Sequence, residues 1–139
     1  MRGNTVYLEA PDRTQELLNI KWALRSAGYA VASTWHEGTA STSLLTFRDH
    51  WNAKSVEQLK ICDSLVVISG NGDRSIEEVA LIAGFAIACG LTVFWVGSPI
   101  KGLCDFPAVR QFNTVAEFEK HIARQPYSQP IGTGARLAA

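Results

Sequence analysis

The chain has no cysteine pair at metal-binding or redox spacing: Cys62, Cys89 and Cys104 are its three thiols, and their separation excludes a zinc cage and a disulfide framework while fitting a reducing compartment. No apolar run approaches the ~20 residues that cross a bilayer, and no basic-then-apolar series opens the chain, so the sequence predicts a cytoplasmic protein without a membrane span. Charge of one sign is also missing. Thirteen Lys and Arg balance thirteen Asp and Glu, which leaves no broad positive field for long nucleic acids or anionic membranes. The P-loop pattern G-x-x-x-x-G-K-[ST] and the G-x-S-x-G elbow are absent, which removes P-loop phosphotransferases and the common serine hydrolases. His36, His50 and His121 have no ligand spacing, so neither a metal nor a cofactor is expected.

What remains is a chain of 139 residues, 47% hydrophobic and 19% charged, enough for one core and too apolar for disorder. Short runs rich in Val, Ile, Tyr and Phe alternate with helical patterns, the signature of a parallel sheet covered by helices. The expected strands are Val6 to Glu9, Tyr29 to Thr34, Ser64 to Ser69 and Thr92 to Gly97, with a shorter fifth at Val109 to Phe112. The third and fourth are almost unbroken apolar stretches, as strands buried on both faces require. Helix starts are marked by four capping-box spacings, Asp12-x-x-Gln15, Ser55-x-x-Gln58, Ser75-x-x-Glu78 and Thr114-x-x-Glu117. Leu17, Leu18, Trp22 and Leu24 give the first helix its period, and Gly28 and Gly90 stop the first and third. Right-handed crossovers then predict an α/β, doubly wound, five-stranded parallel sheet ordered 2-1-3-4-5.

Ligands of such a sheet bind beyond the carboxyl ends of the strands. That rule nominates residues 9–13, 33–37, 69–75 and 97–101. Ser69-Gly70-Asn71-Gly72-Asp73-Arg74-Ser75 is the richest of these, with two glycines, hydroxyls and an arginine before a helix. Gly70-x-Gly72 lacks the last glycine of a dinucleotide fingerprint and follows the third strand, so it carries little weight. A phosphoacceptor receiver domain would need an aspartate where Ser69-Gly70 stands. The aperiodic segment from Trp35 to Asn52 reads as a long functional loop; the Pro-, Ser-, Gln- and Gly-rich residues 124–139 read as a flexible tail after a domain of residues 1–123.

Several short motifs together resemble the nucleoside 2-deoxyribosyltransferase family: Val6-Tyr7-Leu8, Ser33-Thr34-Trp35, Cys62-Asp63-Ser64-Leu65-Val66-Val67, Gly84-Phe85-Ala86-Ile87-Ala88-Cys89-Gly90, and Val96-Gly97 followed by Phe106-Pro107-x-Val109-x-x-Phe112-x-Thr114. The likeness covers roughly residues 5–122. It implies a flavodoxin-like domain, often a homodimer, that binds a nucleoside or nucleotide and cleaves its N-glycosidic bond through a carboxylate nucleophile. The sequence departs from that family at the two acids. The nucleophile position, two residues before Gly84, is Ile82, and the aspartate position eight residues before Asp63 is Ser55.

Binding without turnover is therefore the expected function, with Tyr7, Glu9, Trp35, Ser69, Gly70, Gly72 and Ser75 as ligand contacts. The catalytic alternative uses Glu78, one helical turn before Ile82, as nucleophile, assisted by Asp73 or Asp49. Side chains of a helix lean toward its N-terminus, which carries Glu78 away from the Ile82 position and favours a capping role with Ser75. Each other candidate also has a plainer role: Tyr7 in packing, Trp35 and Trp51 in burying their loop rather than stacking on a base, Glu9 and Asp73 in turns. A third possibility is an interaction protein with a vestigial pocket.

Overall fold

The computed structural model describes residues 4–10, 15–33, 53–69 and 76–124. Five strands, β1 (Thr5–Glu9), β2 (Ala30–Val31), β3 (Ser64–Ile68), β4 (Thr92–Val96) and β5 (Val109–Phe112), form one sheet in the order β2-β1-β3-β4-β5. Every pairing is parallel. The described helices are α1 (Gln15–Ser26), α2 (Ala53–Lys60), α3 (Ile76–Ala88) and α4 (Val115–Arg124). This is the doubly wound, flavodoxin-like order, with its topological switch point between β1 and β3. None of the described helices is long and apolar enough to cross a membrane.

The period-two alternation of each strand sorts its side chains into two layers. Tyr7, Leu65, Val67, Val93, Trp95 and Val109 face Leu59 of α2 and Val79, Ile82, Ala83 and Ala86 of α3. Val6, Leu8, Val66, Ile68 and Val96 face Leu17, Ile20 and Leu24 of α1 and Phe118 and Ile122 of α4. The second layer ends in an aromatic group in which Phe112 and Phe118 meet edge to face at 5.2 Å, with Phe94 and His121 beside them. No described helix joins β4 to β5; Ile100, Leu103 and Cys104 of that connection pack against the first layer instead.

Both helix stops follow the glycines. Gly28 (φ 96°) and Gly90 (φ 86°) take the left-handed conformation. In each, the next residue's amide reaches back five residues, Tyr29 to Leu24 O at 2.9 Å and Leu91 to Ala86 O at 3.0 Å, completing a Schellman stop. At the other end of α4, Thr114 Oγ1 accepts from the Glu117 amide at 3.1 Å, and Glu117 Oε1 accepts from the Asn113 amide at 3.0 Å, so this capping box forms with its return bond one residue early.

Three sequence expectations change. Ser55 does not open its helix: α2 already includes Ala53, and Ser55 is buried within it. Trp22 is 70% exposed, because it lies five residues, about 140° of helical rotation, from Leu17 and so misses the face shared by Leu17, Ile20 and Leu24. Strand β2 is shorter than the Tyr29–Thr34 run. The Ala32 amide still donates to Val6 O at 2.8 Å, but the next ladder donor, the Leu8 amide, goes to the Ser33 hydroxyl at 3.0 Å. A side-chain oxygen thus stands where a parallel ladder would use a backbone carbonyl, and the pairing ends there. The capping pairs at Asp12 and Ser75, the loop from Trp35 to Asn52 and the tail after Arg124 lie outside the described residues.

Candidate functional site at the carboxyl ends of β1 and β3

Strand β1 ends in Glu9, paired in register with Val67 of β3, and β3 is followed by Ser69. Glu9 has no exposed surface, and Ser69 is buried at 3%. The two flank the switch point, where a doubly wound sheet opens a crevice. Alternation puts Glu9 on the same face as Tyr7, toward α2 and α3, and the Glu9 charge acts on the Tyr7 phenol.

Tyr7 is fully buried, and its phenol lies near the Ser55 side chain of α2. Burial pushes its pKa far above the ordinary value, the nearby Ser55 side chain works against that rise, and the acidic groups of Glu9 and Cys62 add to it. The phenol therefore stays protonated, a hydroxyl donor beside a carboxyl group. Cys62 itself is buried and its thiol donates to Gln58 O at 3.1 Å, which closes α2 onto the same layer.

The walls are pinned by side chains. Ser69 donates through both amide and hydroxyl to Val96 O, at 2.9 and 3.3 Å, which ties the end of β3 to β4. Trp95 Nε1 donates to Ser98 O at 2.7 Å, and Gln111 Nε2 to Gly97 O at 3.3 Å, so the turn after β4 is held from two strands. Ser33, with no exposed surface, fixes the end of β2 through the Leu8 amide.

Of the candidates from sequence, the fold brings Tyr7, Glu9 and Ser69 to one end of the sheet. Glu78 falls in the first turn of α3, and Ile82 is buried in the layer beneath the sheet. Trp35, Gly70, Gly72, Asp73 and Ser75 lie outside the described residues, as does the side chain of Glu78. Sequence reasoning missed the burial of Ser55 near Tyr7 and the strand-ending bond of Ser33, neither of which follows from local spacing. No group of His, Cys, Asp and Glu among the described residues is arranged to hold a metal ion.

Two other hollows are less suited to chemistry. One of about 260 Å³ opens on the α1–α4 side between Glu16, Ile68, Gly97 and Thr114, but its helix start is already capped by Thr114. One of about 410 Å³ lies between the C-terminal halves of α1 and α4, lined by Ala23, Ala27, Ile122 and Ala123, at the amino end of the sheet.

The fold and site define a doubly wound α/β domain with a buried acid at its switch point. Comparison with protein-family models, curated proteins and solved structures finds no match to this chain.

Proposed function

We propose that the protein binds a nucleoside or nucleotide in the crevice beyond β1 and β3. The observation that carries this reading is the wholly buried Glu9 carboxyl group at the switch point, on the same face as the Tyr7 phenol and next to the strand end that leads into Ser69. Acceptors and donors at the strand ends of this sheet order suit a hydroxyl-bearing, flat ligand, and the resemblance of residues 5–122 to deoxyribosyltransferases supplies the ligand class. On this reading the protein acts in the cytoplasm as a homodimer, without cofactor or metal. Calorimetric titration with common nucleosides and their 5′-monophosphates tests it: saturable heat supports the reading, and no heat above dilution for every ligand leaves the scaffold role.

Binding is favoured over turnover by Ile82, an aliphatic group with no exposed surface where the resemblance expects the nucleophile. The N-glycosidase or deoxyribosyltransferase alternative requires Glu78. It is supported only if the purified protein releases free base and Glu78→Gln abolishes the release.

A further inference from the structure

We infer that the outer face of α3 is a self-association surface, on which two copies of this chain pack their α3 helices antiparallel about a twofold axis between Gly84 and Phe85. The family resemblance implies a homodimer and names no face for it; this surface follows from the chain itself and does not depend on the nucleotide reading.

α3 stands apart in its charge. Val79, Ile82, Ala83 and Ala86 form its buried stripe, and the opposite face holds Leu81, Gly84, Phe85 and Ala88, which lie within about 100° of one another around the helix. A helix of a lone domain carries charged or polar residues on that outer face. Here no charged residue occurs between Glu78 and Lys101. Leu81 is 58% exposed, Gly84 and Ala88 are exposed, and Phe85 is half-buried against the first layer. Helices that are apolar all round belong to buried positions.

Gly84 is a second and independent sign. Glycine inside a helix is unfavourable relative to alanine, and a Cβ built at Gly84 meets nothing within 4 Å. No packing among the described residues calls for it, whereas a partner's side chain seated on the bare backbone does.

The order large, small, large, small along this face identifies the occupant. Antiparallel pairing about the 84/85 axis sets Leu81 of one protomer on Ala88 of its partner and Phe85 on the partner's Gly84. Each contact then occurs twice, as an isologous interface requires, and small residues opposite large ones let the helices approach closely. A face without charge offers a charged partner nothing, while two copies meeting there bring no like charges together. The overlap from residue 81 to 88 runs about 12 Å, too short to bury the roughly 800 Å² per partner of a stable pair, so the contact spreads to its flanks. Ile61, directly after α2, is 59% exposed, and Phe106, in the connection whose Ile100 and Leu103 pack on the α2–α3 layer, is 51% exposed. With Leu81 they are three of the four large apolar side chains left exposed among the described residues. The fourth, Trp22, stands on α1 beside Lys21 and Arg25, where two copies would set like charges together. Exposed Lys54, Glu57, Lys60, Lys101 and Asp105, of both signs, furnish a polar rim.

The test is sedimentation equilibrium of the full chain over a micromolar concentration series, without nucleotide. The wild type is expected to sediment as a dimer. Gly84→Ala is expected to raise the dimer Kd by about tenfold or more, because it puts a methyl group under each Phe85 ring, while the dilute protein keeps the wild-type circular dichroism and a melting temperature that does not fall. Leu81→Asp is expected to sediment as a monomer throughout, and Trp22→Ser to match the wild type. If circular dichroism shows that Leu81→Asp does not fold, Gly84→Ala alone decides. A monomeric wild type overturns the surface and, with it, the homodimer that the resemblance implies. A dimer that Gly84→Ala or a folded Leu81→Asp leaves at wild-type strength, or that Trp22→Ser dissolves, overturns this face. A mass beyond the dimer overturns the twofold closure. Nucleotide is absent from every sample, so these outcomes leave ligand binding untouched, and a failed calorimetric titration leaves the surface standing.

Discussion

Ser33 and Ser69 are both buried serines at strand ends, yet their hydroxyls should differ in worth. Ser33 Oγ is the acceptor for the Leu8 amide at 3.0 Å, with neither residue exposed to water. Ser33→Ala removes that acceptor from inside the sheet, where no solvent replaces it, and costs about 1–3 kcal/mol. Ser69 is on the donor side. Its hydroxyl reaches Val96 O at 3.3 Å, but the same carbonyl keeps the Ser69 amide at 2.9 Å. Ser69→Ala leaves every backbone group satisfied and costs about 0.5–1 kcal/mol. With an unfolding entropy near 2.1 cal/mol/K per residue, 1 kcal/mol corresponds to roughly 3 °C for a chain of this length. Ser33→Ala should then melt about 3–10 °C below wild type and Ser69→Ala within about 3 °C of it. Urea unfolding followed by circular dichroism gives the free energies directly. Equal losses, or a larger loss at Ser69, would refute the claim that the Ser33 hydroxyl stands in for a backbone acceptor.

The Tyr7 phenol is held protonated in the fold while the unfolded chain ionises near its ordinary 10.0, so stability should fall as pH rises past that value, and more gently in Tyr7→Phe. His121 runs in the opposite sense: desolvation, then Arg110, lowers its pKa below 6.5, so the unfolded chain binds the proton first and stability should decline as pH drops through 6.5. An NMR titration of its ring should show the lowered midpoint, moving up in Arg110→Gln. Phe118→Ala opens a hole beneath Phe94 and Phe112 and should cost about 3–5 kcal/mol by denaturation. Thr114→Ala deletes the α4 cap and should cost about 0.5–2 kcal/mol by the same assay.

Strands β3 and β4 were readable because burial on both faces demands unbroken apolar runs, and four helices alternating with the strands left little choice of topology. Bonds that cross between elements were not readable. Ser55 has the spacing of a capping box, yet the helix begins earlier and the residue is buried near Tyr7, which lies forty-eight positions away in sequence and one layer away in space. Ser33 sits in a run with strand character, and nothing in its periodicity announces that a side chain will replace a carbonyl. The burial of Glu9 left a signal that was partly visible: an acid two residues after Tyr7 shares its face, and Tyr7 follows the pattern of a core residue. Trp22 shows the limit of counting hydrophobic residues without their phase.

Where an acid is mounted decides how well it can be aimed. A carboxylate at position 82 would stand in the layer that holds Val79, Ala83, Ala86 and, across the sheet face, Val67, Val93 and Trp95. Glu9 instead belongs to a strand whose pairing with β3 runs from Val6 through Glu9 itself, while β2 holds its other edge at Thr5 and Val6 and through Ser33 at Leu8. Its backbone is therefore fixed from both sides up to the residue before it, a firmer mount than a helix start or loop provides. Such rigidity suits a contact that a small displacement would forfeit, and it leaves α3 free to pack against the sheet.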